Sequence, residues 1–276
     1  TQQGQAYGQQ GAYGMPQEQA YGQQGAYGDQ MASYEAMMNA PAADAVDRGR
    51  MTYDDVVVKS LMCFGLLVAG AVVGWMAGVI VPALAMVTAL GLCAVTLGLG
   101  LFVRFSKKVR PGAIIAYSLI EGFVLGALSF VFEMLYPGIV VLAVLATLIV
   151  IGVTLAAFSF GFVRNSKTLT RVAFLGSTAF AIYYGISFVL GVTGAVDMTL
   201  VTNIRVLGIP LGVIIGLFAV FIGVLCLVRD FDAVKVGVNA GVPEKYSWLC
   251  TFAIMTDVIW IYLEILKILS YFMRRD

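Results

Sequence analysis

Seven apolar runs of about twenty residues or more follow one another through most of this chain, and few folds can absorb them. They lie at about 60–80, 83–103, 112–132, 138–162, 172–193, 207–228 and 246–269. A helix needs about 20 predominantly apolar residues to cross the hydrocarbon core of a bilayer. Each run meets that length. The first two are parted only by a short break around Pro82, but together they are too long for a single crossing. The expectation is an all-α integral membrane protein with seven transmembrane helices. Composition agrees: 60% of the 276 residues are apolar and 12% charged, against about 25% charged in an average soluble domain.

Residues 1–50 are different. The segment AYGQQGAYG occurs at 6–14 and again at 20–28, and a looser stretch with Ala and Met follows to Ala40. A Gln/Gly/Tyr-rich segment lacks the aliphatic side chains that would offset the entropy of ordering. It reads as a disordered cytoplasmic tail, solvated or weakly self-associating. Residues 51–276 form the membrane domain. The polar opening repeats do not read as a cleavable signal peptide, which begins with a basic stretch and a short apolar one. The Thr1 start implies a lost initiator methionine.

Lys and Arg set the orientation, because they collect in cytoplasmic loops. Arg48, Arg50 and Lys59 precede or open helix one. Arg104, Lys107, Lys108 and Arg110 separate helices two and three, and Arg164, Lys167 and Arg171 separate four and five. Arg229, Lys235 and Lys245 separate six and seven. The opposite loops hold Glu133, and Asp197 with Arg205. The bias places the N-terminus in the cytoplasm of a plasma-membrane protein. Arg274 and Arg275 then fall outside, a conflict that a re-entrant last segment would remove.

Several function classes drop out. The chain has no histidine, so it lacks imidazole metal sites, Ser-His-Asp triads and the usual neutral-pH switch. Cys63, Cys93, Cys226 and Cys250 sit in or beside apolar runs without a CxxC pair, so no disulfide framework is expected. A net charge of +1 without a basic, aromatic-interleaved stripe excludes a nucleic-acid partner. Glycines at helical spacing, Gly70-Gly74-Gly78 and Gly208-Gly212-Gly216, are expected to pack helices closely within the monomer.

Carboxylates inside the spans carry the remaining information, since a charge at mid-bilayer costs about 2.5–3.5 kcal/mol on insertion scales. Glu121 lies in helix three, Asp257 and Glu264 in helix seven, and Asp230 with Asp232 just past the end of helix six. Asp257 and Glu264 are seven residues apart, on one helix face and about 10 Å apart along the axis. Lys267 follows Glu264 at i+3 and can pair with it. Asp257 has no such neighbour, which favours a functional role. Glu121 leaves function and structural bonding level. Glu121, Glu264 and Asp230 are candidates for lining an ion pathway.

The helix six–seven region reads FDAVKVGVNAGVPEKYSW at 231–248 and DVIWIYLEILKILSYF at 257–272. With the loop RFSKKVRPG, the run GAIIAYSLIEGFVLGAL and the turn YPGIVV, it resembles the transmembrane Bax inhibitor motif (Bax inhibitor-1) family, most closely its actinobacterial-looking branch. The resemblance spans about residues 50–272. It implies a central C-terminal helix ringed by the other six. It also implies a pH-sensitive calcium leak channel, of a kind linked in eukaryotes to protection from cell death. Two aspartates that share a proton would then gate the pore. By resemblance these are Asp232 and Asp257, with Arg104 as the basic latch ending helix two. Two close carboxylates cannot both ionise cheaply, and such a pair titrates as a unit. Deprotonated, Asp232 and Asp257 would offer hard oxygen ligands to Ca²⁺. An acidic position of some relatives is Cys93 here, and Glu121 and Glu264 are acidic where other branches are not. Asp232 also falls at a membrane edge while Asp257 is near mid-span, so pairing needs a longer or tilted helix six, or a deep cavity.

The expectation is therefore a non-enzymatic protein without a cofactor, whose partners are the bilayer, protons, and calcium or other cations. A proton-coupled secondary transporter and a structural or regulatory membrane protein without conduction stand beside it. An intramembrane aspartyl protease does not fit, because the residues before Asp257 read IMTD rather than Gly-x-Gly-Asp.

Overall fold

The computed structural model describes residues 49–106, 108–193, 204–206 and 208–273. The tail expectation for residues 1–48, and the charges Arg48, Lys107, Asp197, Arg274 and Arg275, lie outside the described residues.

Seven helices are long and apolar enough to cross a membrane. They are α1 (Tyr53–Ile80), α2 (Pro82–Phe105), α3 (Pro111–Leu135), α4 (Ile139–Ser159), α5 (Lys167–Thr193), α6 (Leu211–Ala240) and α7 (Ser247–Met273). A two-residue antiparallel pair, β1 (Arg205–Val206) and β2 (Ile209–Pro210), precedes α6.

Local chemistry sets the boundaries. Thr52 caps α1: its hydroxyl accepts from the Asp55 N–H, and the Asp55 carboxylate accepts from the Thr52 N–H. That reciprocal pair satisfies two N–H groups the first turn would otherwise leave open. Pro82 and Pro111 open α2 and α3, where their missing N–H costs nothing. Gly241 ends α6 at φ +65°, a left-handed conformation in which a side chain is strained.

Glycine settles how α1 meets α3. A Cβ on Gly70 or Gly74 would run into the backbone of Leu119 or Phe123, and one on Gly122 or Gly126 into that of Leu67 or Ala71. The two backbones touch through both glycine pairs, so the α1 stripe is consumed inside the monomer, as expected. The second stripe is shorter than the spacing predicts. Gly208 lies in the turn between β1 and β2 at φ +82°, and only Gly212 and Gly216 are on α6, facing Tyr271 and Ile268 of α7.

Helix α7 is the axis of the bundle. Thr251 meets Ser60 of α1, and Phe252 meets Tyr117 of α3 edge-on. Ile261, Ile265 and Leu266 share a core with Ile139 and Ala143 of α4. Trp260 stacks edge-on against Phe180 of α5, and a Cβ on Gly100 of α2 would touch Phe252. The last segment is one continuous 27-residue helix, about 40 Å long, not a re-entrant loop.

The basic loops come together at one end. Lys59 bonds Glu244 at 2.7 Å and Ser247 at 2.7 Å. Just ahead of α1, Met51 donates its N–H to Val242 at 2.8 Å, and Glu244 donates to Gly49 at 3.0 Å. At the other end Glu133 accepts from the N–H groups of Gly138 (2.6 Å) and Val140 (3.1 Å), closing the α3–α4 turn.

Candidate functional site

Helices α6 and α7 form an antiparallel hairpin. Asp230 lies ten residues before the end of α6 at Ala240, and Asp257 lies ten residues after the start of α7 at Ser247. Both carboxylates therefore stand about 15 Å from the same end of the hairpin. Their side chains are within hydrogen-bonding range of each other. This removes the depth mismatch raised by the sequence, because α6 runs on to Ala240 instead of stopping near 228.

Asp230, not Asp232, is the carboxylate brought to Asp257. Two residues along a helix is a rotation of ~200°, so the two aspartates cannot share a face. Asp232 instead accepts from the Asn165 amide at 2.9 Å, and Asn165 is in turn held by Thr170 at 2.9 Å. That bond ties α6 to the α4–α5 connection. The proposed Ca²⁺ pair of Asp232 and Asp257 is corrected on the same ground.

The nearest cation is also not the expected one. Arg229 donates from Nε (3.1 Å) and Nη2 (3.0 Å) to one oxygen of Asp230, and its Nη2 stands 3.9 Å from Oδ2 of Asp257. Arg104, at the end of α2, is close enough to Asp230, Asp257 and Arg229 to interact electrostatically with them. It is a second cation at the pair, not the direct latch. Oδ2 of Asp230, and this same Oδ2 of Asp257, are buried and have no hydrogen-bond partner among the described residues. A buried polar atom left unbonded is costly.

A family model described as Bax inhibitor 1 like matches residues 3–274. The chain belongs to the Bax inhibitor 1 like family. No curated protein and no solved structure matches it.

In this Bax inhibitor 1 like protein the other candidates lie apart from the pair. Glu121 of α3 lies near Thr96 and Cys93 of α2 and near Tyr117, and the Thr96 hydroxyl donates to the Cys93 carbonyl at 3.1 Å. An acidic group thus stands beside the Cys93 position, supplied from the neighbouring helix. Glu264 is 2% exposed and pairs with Lys267 at 2.6 Å, as the i+3 spacing suggests. None of the four cysteines forms a disulfide. Among the described residues no group of three or more acidic, Cys or His side chains could hold a metal. Two aspartates alone fall short of the six to eight oxygens Ca²⁺ takes. A cavity of about 980 Å³ opens between α1 and α4, but its lining is almost wholly apolar and includes neither Asp230 nor Asp257.

Arg229 is the site residue that sequence reasoning missed, having read it as a loop charge. For its neighbour Asp230 a signal was present. Gly216, Gly223 and Asp230 recur every seven residues and so share a face of α6. Gly216 and Gly223 of that face meet Ile268 and Ile261 of α7.

Proposed function

We propose that this protein is a proton-responsive cation leak pathway, with calcium as the permeant ion. Asp230 and Asp257 sense protons in it, and Arg229 with Arg104 holds the pathway closed. The observation that carries the reading is the facing pair of buried carboxylates, each with an unbonded oxygen among the described residues. With one shared proton, the pair links α6 to α7. Losing or gaining a proton changes the charge facing Arg229 and Arg104, so the two helices and α2 respond together. Family membership supports the reading, and the reading needs no enzymatic step and no resident cofactor. The positive-inside rule supports a cytoplasmic location for the end with Lys59, Arg164 and Lys245, and the membrane we propose is the plasma membrane.

The test is Ca²⁺ flux into liposomes carrying the full chain, measured across pH. Flux that varies with pH in the wild type, and a flattened profile in Asp257→Asn and in Asp230→Asn, is the expected result. An Asp257→Asn profile that overlays the wild type sinks the sensing role. Saturable uptake of one substrate would replace the leak with a transporter, and no flux at any pH would leave a structural or regulatory protein.

A further inference from the structure

The far end of α7 carries a second buried carboxylate whose surroundings differ from those of the aspartate pair. Glu264 is 2% exposed. Its Oε1 accepts from the Lys267 ammonium at 2.6 Å and from the Trp260 indole N–H at 3.2 Å. Its Oε2 has no hydrogen-bond partner among the described residues. That oxygen faces α6 at Gly216, 3.9 Å from where a Cβ would stand. The Lys267 ammonium also donates to the Tyr184 hydroxyl at 3.0 Å and sits 4.2 Å from the centre of the Tyr184 ring. Further aromatic rings close the surroundings: Phe180 stacks on Tyr184 at 6.0 Å and meets Trp260 edge-on at 5.8 Å, and Tyr183 meets Tyr184 at 5.1 Å.

Each element of this cluster favours a cation. A carboxylate supplies charge, an aromatic face attracts a cation through its quadrupole, and a phenol oxygen accepts one further bond. The set is too poor in oxygen for Ca²⁺ or Mg²⁺, which need six or more hard ligands. It suits a weakly hydrated monovalent ammonium ion with a short apolar tail. Lys267 already presents one. Its side chain is 40% exposed, and a lysine stem of this kind can swing its head toward the interface while its methylenes stay in apolar surroundings.

We propose that Glu264, Tyr184 and Trp260 form a second cation site, specific for primary alkylammonium ions, in which the Lys267 ammonium is the tethered resident that a free amine replaces. The site is built from α5 and α7 against α6 and lies about 10 Å along α7 from Asp257. It does not depend on conduction through the aspartate pair.

The test uses the full chain in detergent and n-butylammonium, which carries the head and four carbons of the lysine arm. Lys267→Ala should unfold at a lower temperature than the wild type. n-Butylammonium should raise its unfolding temperature in a saturable way, while n-butanol and sodium at equal concentration should not. The wild type should need at least tenfold more amine for the same shift, because Lys267 competes. The double variant Glu264→Gln/Lys267→Ala should not respond. If that double variant responds as Lys267→Ala does, or if Lys267→Ala responds no more than the wild type, the site does not exist. Should Lys267→Ala fail to fold, acylation of Lys267 by an amine-reactive ester, read by peptide mass spectrometry, decides in its place. Glu264→Gln should raise the labelling rate several-fold over the wild type, and an equal rate overturns the proposal.

Discussion

Two carboxylates on one face of α7 are neutralised in opposite ways. Glu264 takes its cation from its own helix, one turn on, and shares that cation with an aromatic cluster on α5. Asp257 faces a second carboxylate from α6 and receives its cations from α6 and α2. The difference separates a carboxylate whose cation comes from its own helix from one whose cations come from neighbouring helices.

The largest expected effect breaks the aspartate side of that contrast. Arg229→Met leaves Asp230 and Asp257 facing each other with only Arg104 for charge. Removing one partner of a buried pair costs about 3–5 kcal/mol, so a drop of that size is expected in denaturant unfolding of the purified chain. Adding Asp230→Asn to Arg229→Met should recover much of the loss, because the uncompensated charge goes with it. If the double variant is as unstable as the single, Arg229 acts through its packing and not its charge.

Lys267→Met probes the other side. Glu264 loses one donor but keeps the Trp260 N–H, and the lysine it loses is partly exposed. A loss of about 1–2 kcal/mol in the same unfolding measurement is expected. A loss matching that of Arg229→Met would erase the distinction between local and shared neutralisation. The pH profile of Ca²⁺ flux should be unmoved by this substitution, whereas Asp257→Asn should flatten it.

Asp232→Asn is the smallest change. The Asn165 amide can still donate to the new side-chain oxygen, so less than about 0.5 kcal/mol is expected. The flux profile should overlay the wild type. A profile shifted as far as that of Asp257→Asn would return Asp232 to the pair and displace Asp230.

The helices were legible because their signal is one-dimensional. Run length and the break at Pro82 are properties of adjacent residues. The Glu264–Lys267 pair was legible for the same reason, as both partners lie on one turn. The aspartate pair was only half legible. Asp257 stood out as an ionisable group without a local partner, but its mate depends on the length of α6 and on which face of α6 meets α7. Hydropathy stops near residue 228, where polar residues begin, while the helix continues to Ala240. That extension draws Asp230 and Arg229 from a presumed loop into the bundle.

By itself the sequence determined seven crossings, the clustering of basic charge at alternate loops, and the presence of buried carboxylates that need partners. Each follows from chain-local costs: burying backbone in lipid demands helices, and burying charge demands compensation. The tertiary structure alone decided that Asp230 faces Asp257, that Arg229 stands closer than Arg104, and that the Lys267 arm lies over Tyr184. Those outcomes rest on helix rotation and on the register of an antiparallel pair. A shift of two residues along α6 moves a side chain more than half-way around the helix, and hydropathy and charge alone do not specify which of two nearby aspartates ends up inside.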